Sequence, residues 1–204
     1  MEFRTQLRGR LLDWMMRQMN DLRSEVLLGA EGEVLDVGFG TGLNLPFYPP
    51  GVKKVVGLDP HPTDGLPALE ERVRAARFEV ERCALRADGA LPFDAGRFDT
   101  VVTTWTLCSI PDSQRALAEM RRVLKPGGRY LFIEHGRAPE ERTARWQDRA
   151  NPLWRRLTGG CNMNRPIDRI VQEGGFELEE MERFRHSGPR LLAHMYRGAA
   201  ARAV

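Results

Sequence analysis

Residues 33–42 read Glu33-Val34-Leu35-Asp36-Val37-Gly38-Phe39-Gly40-Thr41-Gly42. A short apolar run that passes straight into a glycine-rich turn is how a buried parallel strand brings the chain to a ligand at its carboxyl end. Glycines there let the backbone turn sharply and let a ligand lie against the main chain, where a side chain would block it. Dinucleotide-binding proteins use a related turn spaced G-x-G-x-x-G, whereas here the third glycine comes one residue early and is followed by Leu43. Taken alone, these ten residues also read as a purely structural turn. Asp59 bears on that choice: it ends the next apolar run, Lys54-Val55-Val56-Gly57-Leu58-Asp59, about 20 residues on, where a carboxylate can accept hydrogen bonds from both hydroxyls of a ribose.

Outward from this turn, strand and helix alternate. Leu66–Ala76 reads as a helix and Phe78–Leu85 as a third strand; Phe98–Trp105, rich in Val and Thr, is a fourth. Ser113–Leu124 is a helix stopped by Pro126-Gly127-Gly128, and Arg129–His135 a fifth strand. Beyond residue 136 come a polar helix over 138–157, a Gly-Gly-Cys-Asn loop and a short helix over 166–173. Candidate strands 176–184 and 191–196 follow, too closely connected to pair other than antiparallel. The small, Ala-rich residues 198–204 read as a fraying end. The expectation is one α/β domain: a doubly wound, Rossmann-like, mostly parallel seven-stranded sheet with an antiparallel C-terminal strand. Ahead of it, apolar residues from Leu7 to Leu28 recur at three-to-four spacing, an amphipathic helix that could close over a site as a lid or touch a membrane surface. Its Met and Trp residues at 14, 15, 16 and 19 form a packing stripe, with covering of an acceptor as a second use.

Composition narrows the function classes. The chain has 204 residues, 42% apolar and 29% charged, which suits one soluble globular unit. No apolar run reaches bilayer-crossing length and no secretory signal is legible at the N-terminus, so a cytoplasmic location is expected. The net charge of +3 comes from scattered arginines rather than a clustered basic face, so no nucleic-acid partner is expected. Cys83, Cys108 and Cys161 are widely spaced and form no C-x-x-C pair, so neither a disulfide framework nor a metal site is expected.

Further acids fall at the remaining strand boundaries. Asp88 precedes Gly89-Ala90-Leu91-Pro92-Phe93, Asp99 opens the fourth strand, and Leu124-Lys125-Pro126-Gly127-Gly128 precedes the fifth. Together with the glycine turn and Asp59, these resemble class I S-adenosylmethionine-dependent methyltransferases of the quinone-biosynthesis-like group over residues 33–135. The resemblance implies S-adenosylmethionine as cofactor, leaving as S-adenosylhomocysteine. It implies that Asp36, Gly38, Gly40 and Gly42 cradle the methionine side with Asn44 and Thr104 beside them. Asp59 and Pro60 then sit at the ribose, and Asp88 and Gly89 at the adenine. His61 falls beside the adenosine.

A narrower resemblance lies in Asn44-Leu45-Pro46-Phe47-Tyr48-Pro49-Pro50, Thr106-Leu107-Cys108-Ser109-Ile110, Glu134-His135, Asn151-Pro152-Leu153-Trp154 and Gly160-Cys161-Asn162 with Arg165. These segments are similar to the animal alkyl-thiol S-methyltransferases of the methyltransferase-like group, as far as residue 165. That implies an S-methylated small molecule, with residues 138–165 as an acceptor-side insertion. Methylation of a quinone-like carbon or oxygen, or of a phospholipid amine, is the alternative on the same fold, and a cofactor-binding protein without catalysis is another. The base- and amide-methylating signature Asn/Asp-Pro-Pro-Tyr/Phe is replaced by Thr104-Trp105-Thr106-Leu107.

His135, at the carboxyl end of the fifth strand, could take a proton from the acceptor with Glu134 orienting it or pairing elsewhere; equally, His135 could only hydrogen-bond a loop. Trp105, Cys108 and Arg165 are the acceptor-side candidates. The two cysteines 108 and 161 could approach each other, line the pocket or be inert buried thiols, and Arg165 could meet an anionic group or simply face solvent.

Overall fold

A computed structural model describes residues 13, 16–60, 66–86 and 89–202. In chain order the elements are α1 (Asn20–Leu27), β1 (Gly32–Val37), a 3-10 turn (Leu45–Phe47), β2 (Val52–Asp59), α2 (Pro67–Ala75), β3 (Glu79–Ala84), β4 (Phe98–Thr104), α3 (Ser113–Val123), β5 (Leu124–His135), α4 (Glu141–Thr158), α5 (Ile167–Glu173), β6 (Phe176–Arg185) and β7 (His194–Arg202). The strands form one sheet in the order β3-β2-β1-β4-β5-β7-β6. β1 to β5 pair parallel, and β7 runs antiparallel to both β5 and β6. The expected single α/β domain with an antiparallel C-terminal strand is therefore what the chain forms.

Alternation along each strand explains why the central runs look uniformly apolar. Leu35, Val56, Val101 and Phe132 point to one face, where α3 and α5 supply Leu117, Met120, Ile167 and Val171. Their neighbours Val34, Val55, Val102 and Leu131 point to the other, against Val26 and Leu27 of α1 and Leu69 of α2. With both faces covered, the row of loops at the carboxyl ends of the parallel strands is where an open α/β sheet places its chemistry. No helix among the described residues is long and apolar enough to cross a membrane.

Three expectations change. β5 begins at Leu124, not Arg129: Phe98 pairs with Leu124 and Thr100 with Arg129, so the Pro-Gly-Gly stretch is an irregularity inside the ladder rather than a stop before it. Residues 198–202 do not fray. They belong to β7, where Ala199 and Ala200 are buried, and a side chain on Gly198 would meet the Phe132 ring at 2.7 Å, so their smallness is a packing requirement. Within the predicted helix over 7–28, Asp13, Met16 and Arg17 are helical, a turn at Gln18 and Met19 interrupts, and α1 follows from Asn20; residues 1–12, 14 and 15 lie outside the described residues.

Candidate active site

At the glycine turn after β1, Gly38, Gly40 and Gly42 have φ of +80°, +55° and +70°. Gly38 and Gly40 exclude a side chain for different reasons. A Cβ on Gly38 would run into the side chain of Thr106, so that glycine lets the loop after β4 close on the turn. Among the described residues, a Cβ on Gly40 would meet only the Gly38 carbonyl, at 3.9 Å, so no described side chain fills that space. The Gly40 N–H donates to Asp59 Oδ2 at 3.1 Å, which draws the carboxylate at the end of β2 alongside. Phe39, Gly57, Leu69, Arg82 and Cys83 complete a shallow depression at this point. An open backbone cradle flanked by a carboxylate fits a nucleoside-bearing cofactor. Pro60 follows, exposed, and Gly89 has a φ of +73°. Asp88 and His61 lie outside the described residues.

Asp36, Asn44 and Thr104, expected beside the cofactor, are buried and hydrogen-bonded to one another through Asn44. Asn44 Nδ2 donates to both Asp36 oxygens at 3.0 and 2.9 Å, and the Tyr48 hydroxyl donates to Asp36 Oδ2 at 3.0 Å. Asn44 Oδ1 accepts from Arg23 Nη1, which also donates to Thr104 Oγ1 at 3.1 Å. These groups brace the turn from beneath. Burial pushes the Asp36 carboxyl up to about 6 against the pull of Asn44, Tyr48 and Arg23, and burial draws Arg23 down to about 10. Arg23 is a residue that the sequence reading missed. It is only 3% exposed and its guanidinium lies 5.0 Å over the Trp105 ring. Its place four residues before Leu27, on the buried side of an amphipathic helix, was the available signal. Two buried donors here, Arg23 Nε and Trp105 Nε1, have no partner among the described residues, which suits an anionic ligand group beside the turn.

The N-terminal segment is tied to the same turn. Buried Asp13 accepts from Arg72 Nη1 and Nη2 of α2 at 2.8 and 2.9 Å and from Thr41 Oγ1 at 2.6 Å, while Arg72 also donates to the Thr41 carbonyl at 2.7 Å.

On the acceptor side, Glu134 is fully buried and does not reach His135's ring to orient it. Its Oε1 accepts from the backbone N–H of Thr106 (3.1 Å) and Leu107 (2.9 Å), and its Oε2 from that of Cys108 (3.1 Å). The loop it holds begins at Trp105, whose φ of +52° is the sole left-handed non-glycine backbone among the described residues. Arg165, half-buried, donates to the Leu107 carbonyl at 2.6 Å and so pins the loop from the other side. Asn162 adds two bonds to the Cys108 carbonyl, both 2.9 Å, one from its N–H and one from Nδ2. Gln147 of α4, buried and unsuspected from sequence, donates to the Gly136, Met163 and Leu191 carbonyls and accepts from the Ala138 N–H, locking the 138–165 segment to the end of β5.

These bonds bring three separated residues together. Cys108 Sγ lies 3.6 Å from Cys161 Sγ, which lies 3.8 Å from Nδ1 of half-buried His135. The Cys108 thiol and His135 draw Cys161 toward the thiolate, while Cys108, beside that sulfur and wholly buried, is held well up. A cleft of about 910 Å³ lies elsewhere, between the 3-10 turn and α2, and none of the predicted site residues lines it.

Residues 35–132 match the family described as methyltransferase domain. The chain is 35% identical over 161 residues to the human thiol S-methyltransferase TMT1B, covering 77% of this chain and 66% of that protein, just under two thirds of its length. With the mouse TMT1B the identity is 30% over 186 residues, covering 88% and 76%. Among solved structures, a protein from Bacillus halodurans described as a putative methyltransferase superposes with a TM-score of 0.69 at 20% identity, covering 91% of this chain and 99% of that one. The sheet order, the open glycine cradle beside Asp59 and these likenesses converge: the chain belongs to the S-adenosylmethionine-dependent methyltransferases.

Proposed function

We propose that the chain methylates the sulfur of a small-molecule thiol. The observation that carries this reading is the wall of two sulfurs and an imidazole, Cys108, Cys161 and His135, built at the carboxyl ends of β4 and β5 beside the glycine turn. The relatives named as thiol S-methyltransferases support it.

In this reading Gly38, Gly40 and Gly42 bear the methionine portion of the cofactor, Arg23 takes its carboxylate, Asp59 and Pro60 hold the ribose, and Asp88 and Gly89 meet the adenine. When bound, S-adenosylmethionine supplies an electrophilic methyl group on a sulfonium. The protein's part is alignment and exclusion of water, and positioning of this kind is worth several kcal/mol of barrier. The segment around Asp13 and the 138–165 insertion provide the cover, and Trp105 the wall between cofactor and acceptor. Glu134 is a positioning residue that keeps Trp105 to Cys108 in place. An alkyl thiol has a pKa of about 8.5 or above, so only a few per cent is thiolate at pH 7. The chain must therefore supply a proton acceptor or a cation at the sulfur, and the His135 edge of the wall is where either acts. The cytoplasmic setting and a small molecule rather than nucleic acid as acceptor are part of the same proposal, and the scattered arginines support the latter.

The test is to incubate the purified chain with S-adenosylmethionine and a panel of alkyl thiols, phenols and amines, following S-adenosylhomocysteine release and product mass. Thiols are expected to give the methyl thioether. Methylation of phenols or amines with thiols inert would refute the reading.

A further inference from the structure

We propose that Cys108, Cys161 and His135 form a three-ligand zinc site whose fourth position takes the sulfur of the acceptor. The proposal rests on the thiol reading for its substrate and on the geometry of the cluster for its metal.

The ligand atoms of the three residues all lie within 4.8 Å of one another. A tetrahedral zinc ion with Zn–S of about 2.3 Å and Zn–N of about 2.0 Å has S···S edges of about 3.8 Å and S···N edges of about 3.5 Å. The sulfurs are 3.6 Å apart, and Cys161 Sγ lies 3.8 Å from His135 Nδ1. The match extends to the support behind the ligands, which a metal site needs as much as the ligands themselves. The Cys108 backbone is fixed at both ends, its N–H on Glu134 and its carbonyl on Asn162. Cys161 precedes Asn162, so the same bonds set its position. Asn162 is itself held by Asn151 of α4 at 3.1 Å. Two thiols and an imidazole so braced resemble the Cys₂His set of catalytic zinc sites, which keep one position open, rather than a closed structural site. Cys108 and Cys161 are buried and His135 is half exposed, so the accessible side of the cluster is the histidine side, where an acceptor enters.

The chemistry balances without a redox partner. An acceptor thiol binds at the open position and releases its proton to solvent. Its sulfur then forms the new C–S bond as the methyl–sulfonium bond of S-adenosylmethionine breaks. S-adenosylhomocysteine and a neutral thioether result, and the thioether, a poorer ligand than a thiolate, leaves the metal.

The experiment uses the full chain, reduced and stripped of metal, titrated anaerobically with Co²⁺ and then with Zn²⁺ in competition. One equivalent of Co²⁺ with the intense visible bands of tetrahedral coordination and thiolate-to-cobalt charge transfer is expected. Cys108→Ser, Cys161→Ser and His135→Ala should each weaken binding at least tenfold, with circular dichroism reporting that each variant is folded. Cys83→Ser, whose sulfur is on β3, should bind as the parent does. An alkyl thiol added to the Co²⁺ protein should shift the visible bands, and a phenol or amine should not. Failure to bind Co²⁺ or Zn²⁺, or formation of a Cys108–Cys161 disulfide under the same handling in place of binding, overturns the site even if thiols are methylated. Stoichiometric binding with spectra indifferent to thiols overturns the acceptor's place on the metal. Methylation of amines alone, with the metal site intact, would instead sink the thiol reading.

Discussion

Replacing Glu134 with Ala removes a carboxylate that serves three backbone donors at once, on Thr106, Leu107 and Cys108, at 3.1, 2.9 and 3.1 Å. Leu107 and Cys108 are fully buried, whereas Thr106 is half exposed and can turn to water. Leaving a buried donor unpaired costs about 1–3 kcal/mol, so two such donors and a partly satisfied third come to about 3–5 kcal/mol. That is a large fraction of the roughly 5–15 kcal/mol by which a domain is stable. Glu134→Gln separates the donors. Its amide oxygen can keep Thr106 and Leu107, but its NH₂ then faces the Cys108 N–H, and one bond is lost. Burial pushes the Glu134 carboxyl up, so removing its charge gives back part of that loss, and the Gln variant should fall by only about 1–2 kcal/mol. Urea unfolding of parent and both variants at pH 7, with slopes compared, measures the difference. An Ala variant within about 1 kcal/mol of the parent, or Gln as damaging as Ala, would refute the account of Glu134 as an anchor for the loop.

Asp59→Ala should weaken cofactor binding at least tenfold, about 1.4 kcal/mol, by calorimetry on a folded variant; unchanged affinity would detach Asp59 from the ribose. Gly40→Val puts a branched side chain at φ +55° in the open cradle, and should abolish detectable cofactor binding; normal binding would show that the cofactor passes elsewhere. Asp36 has a folded-state pKa raised to about 6 from 3.8, so between those values the folded chain holds the extra proton and stability falls as pH rises. The parent should therefore lose about 3 kcal/mol relative to Asp36→Asn between about pH 3 and pH 7, and parallel stability curves would disprove it. Removing residues 1–18 frees Arg72 from Asp13 while sparing Arg23, and should leave a folded, cofactor-binding core with a raised acceptor KM; an insoluble product would make that segment core rather than lid.

The parts of this fold that were legible in the sequence are those whose physics is local. Val34-Leu35, Val55-Val56 and Val101-Val102 are apolar in succession because both faces of their strands are covered, and the glycine turn announces itself by composition. Where the deciding neighbour is distant in the chain, the reading failed. Ala199 and Ala200 carry no strong strand propensity, and the Glu180 carbonyl and the Phe132 ring, both distant in the chain, are what leave no room for a side chain on the neighbouring Gly198. The resemblance set Asn44 and Thr104 beside the cofactor, but the buried arginine of α1 that bonds both is distant in the chain and could not be read beside them. Glu134 and His135 are adjacent, yet successive strand residues face opposite ways, so one turns into the core and the other toward Cys161. Cys108 and Cys161 are joined only by folding, and no C-x-x-C spacing could reveal them.

The order of the last two strands has a consequence for how the molecule assembles. β7 follows β6 in the chain but inserts between β5 and β6, and β6 has no other partner in the sheet. Until β7 is made, β6 is an unpaired ribbon and the outer edge of β5, up to His135, stays exposed. The β3-β2-β1-β4-β5 half, with its glycine turn, pairs strand to strand without β6 or β7 and can form its ladders first. β7 must then zip two ladders together, pairing His135 with Met195 across the intervening α4, α5 and β6, the kind of non-local closure that is slow to form. In a refolding experiment the cofactor pocket should therefore mature ahead of the acceptor wall, leaving an interval in which the enzyme binds its methyl donor before it can hold anything to receive the methyl.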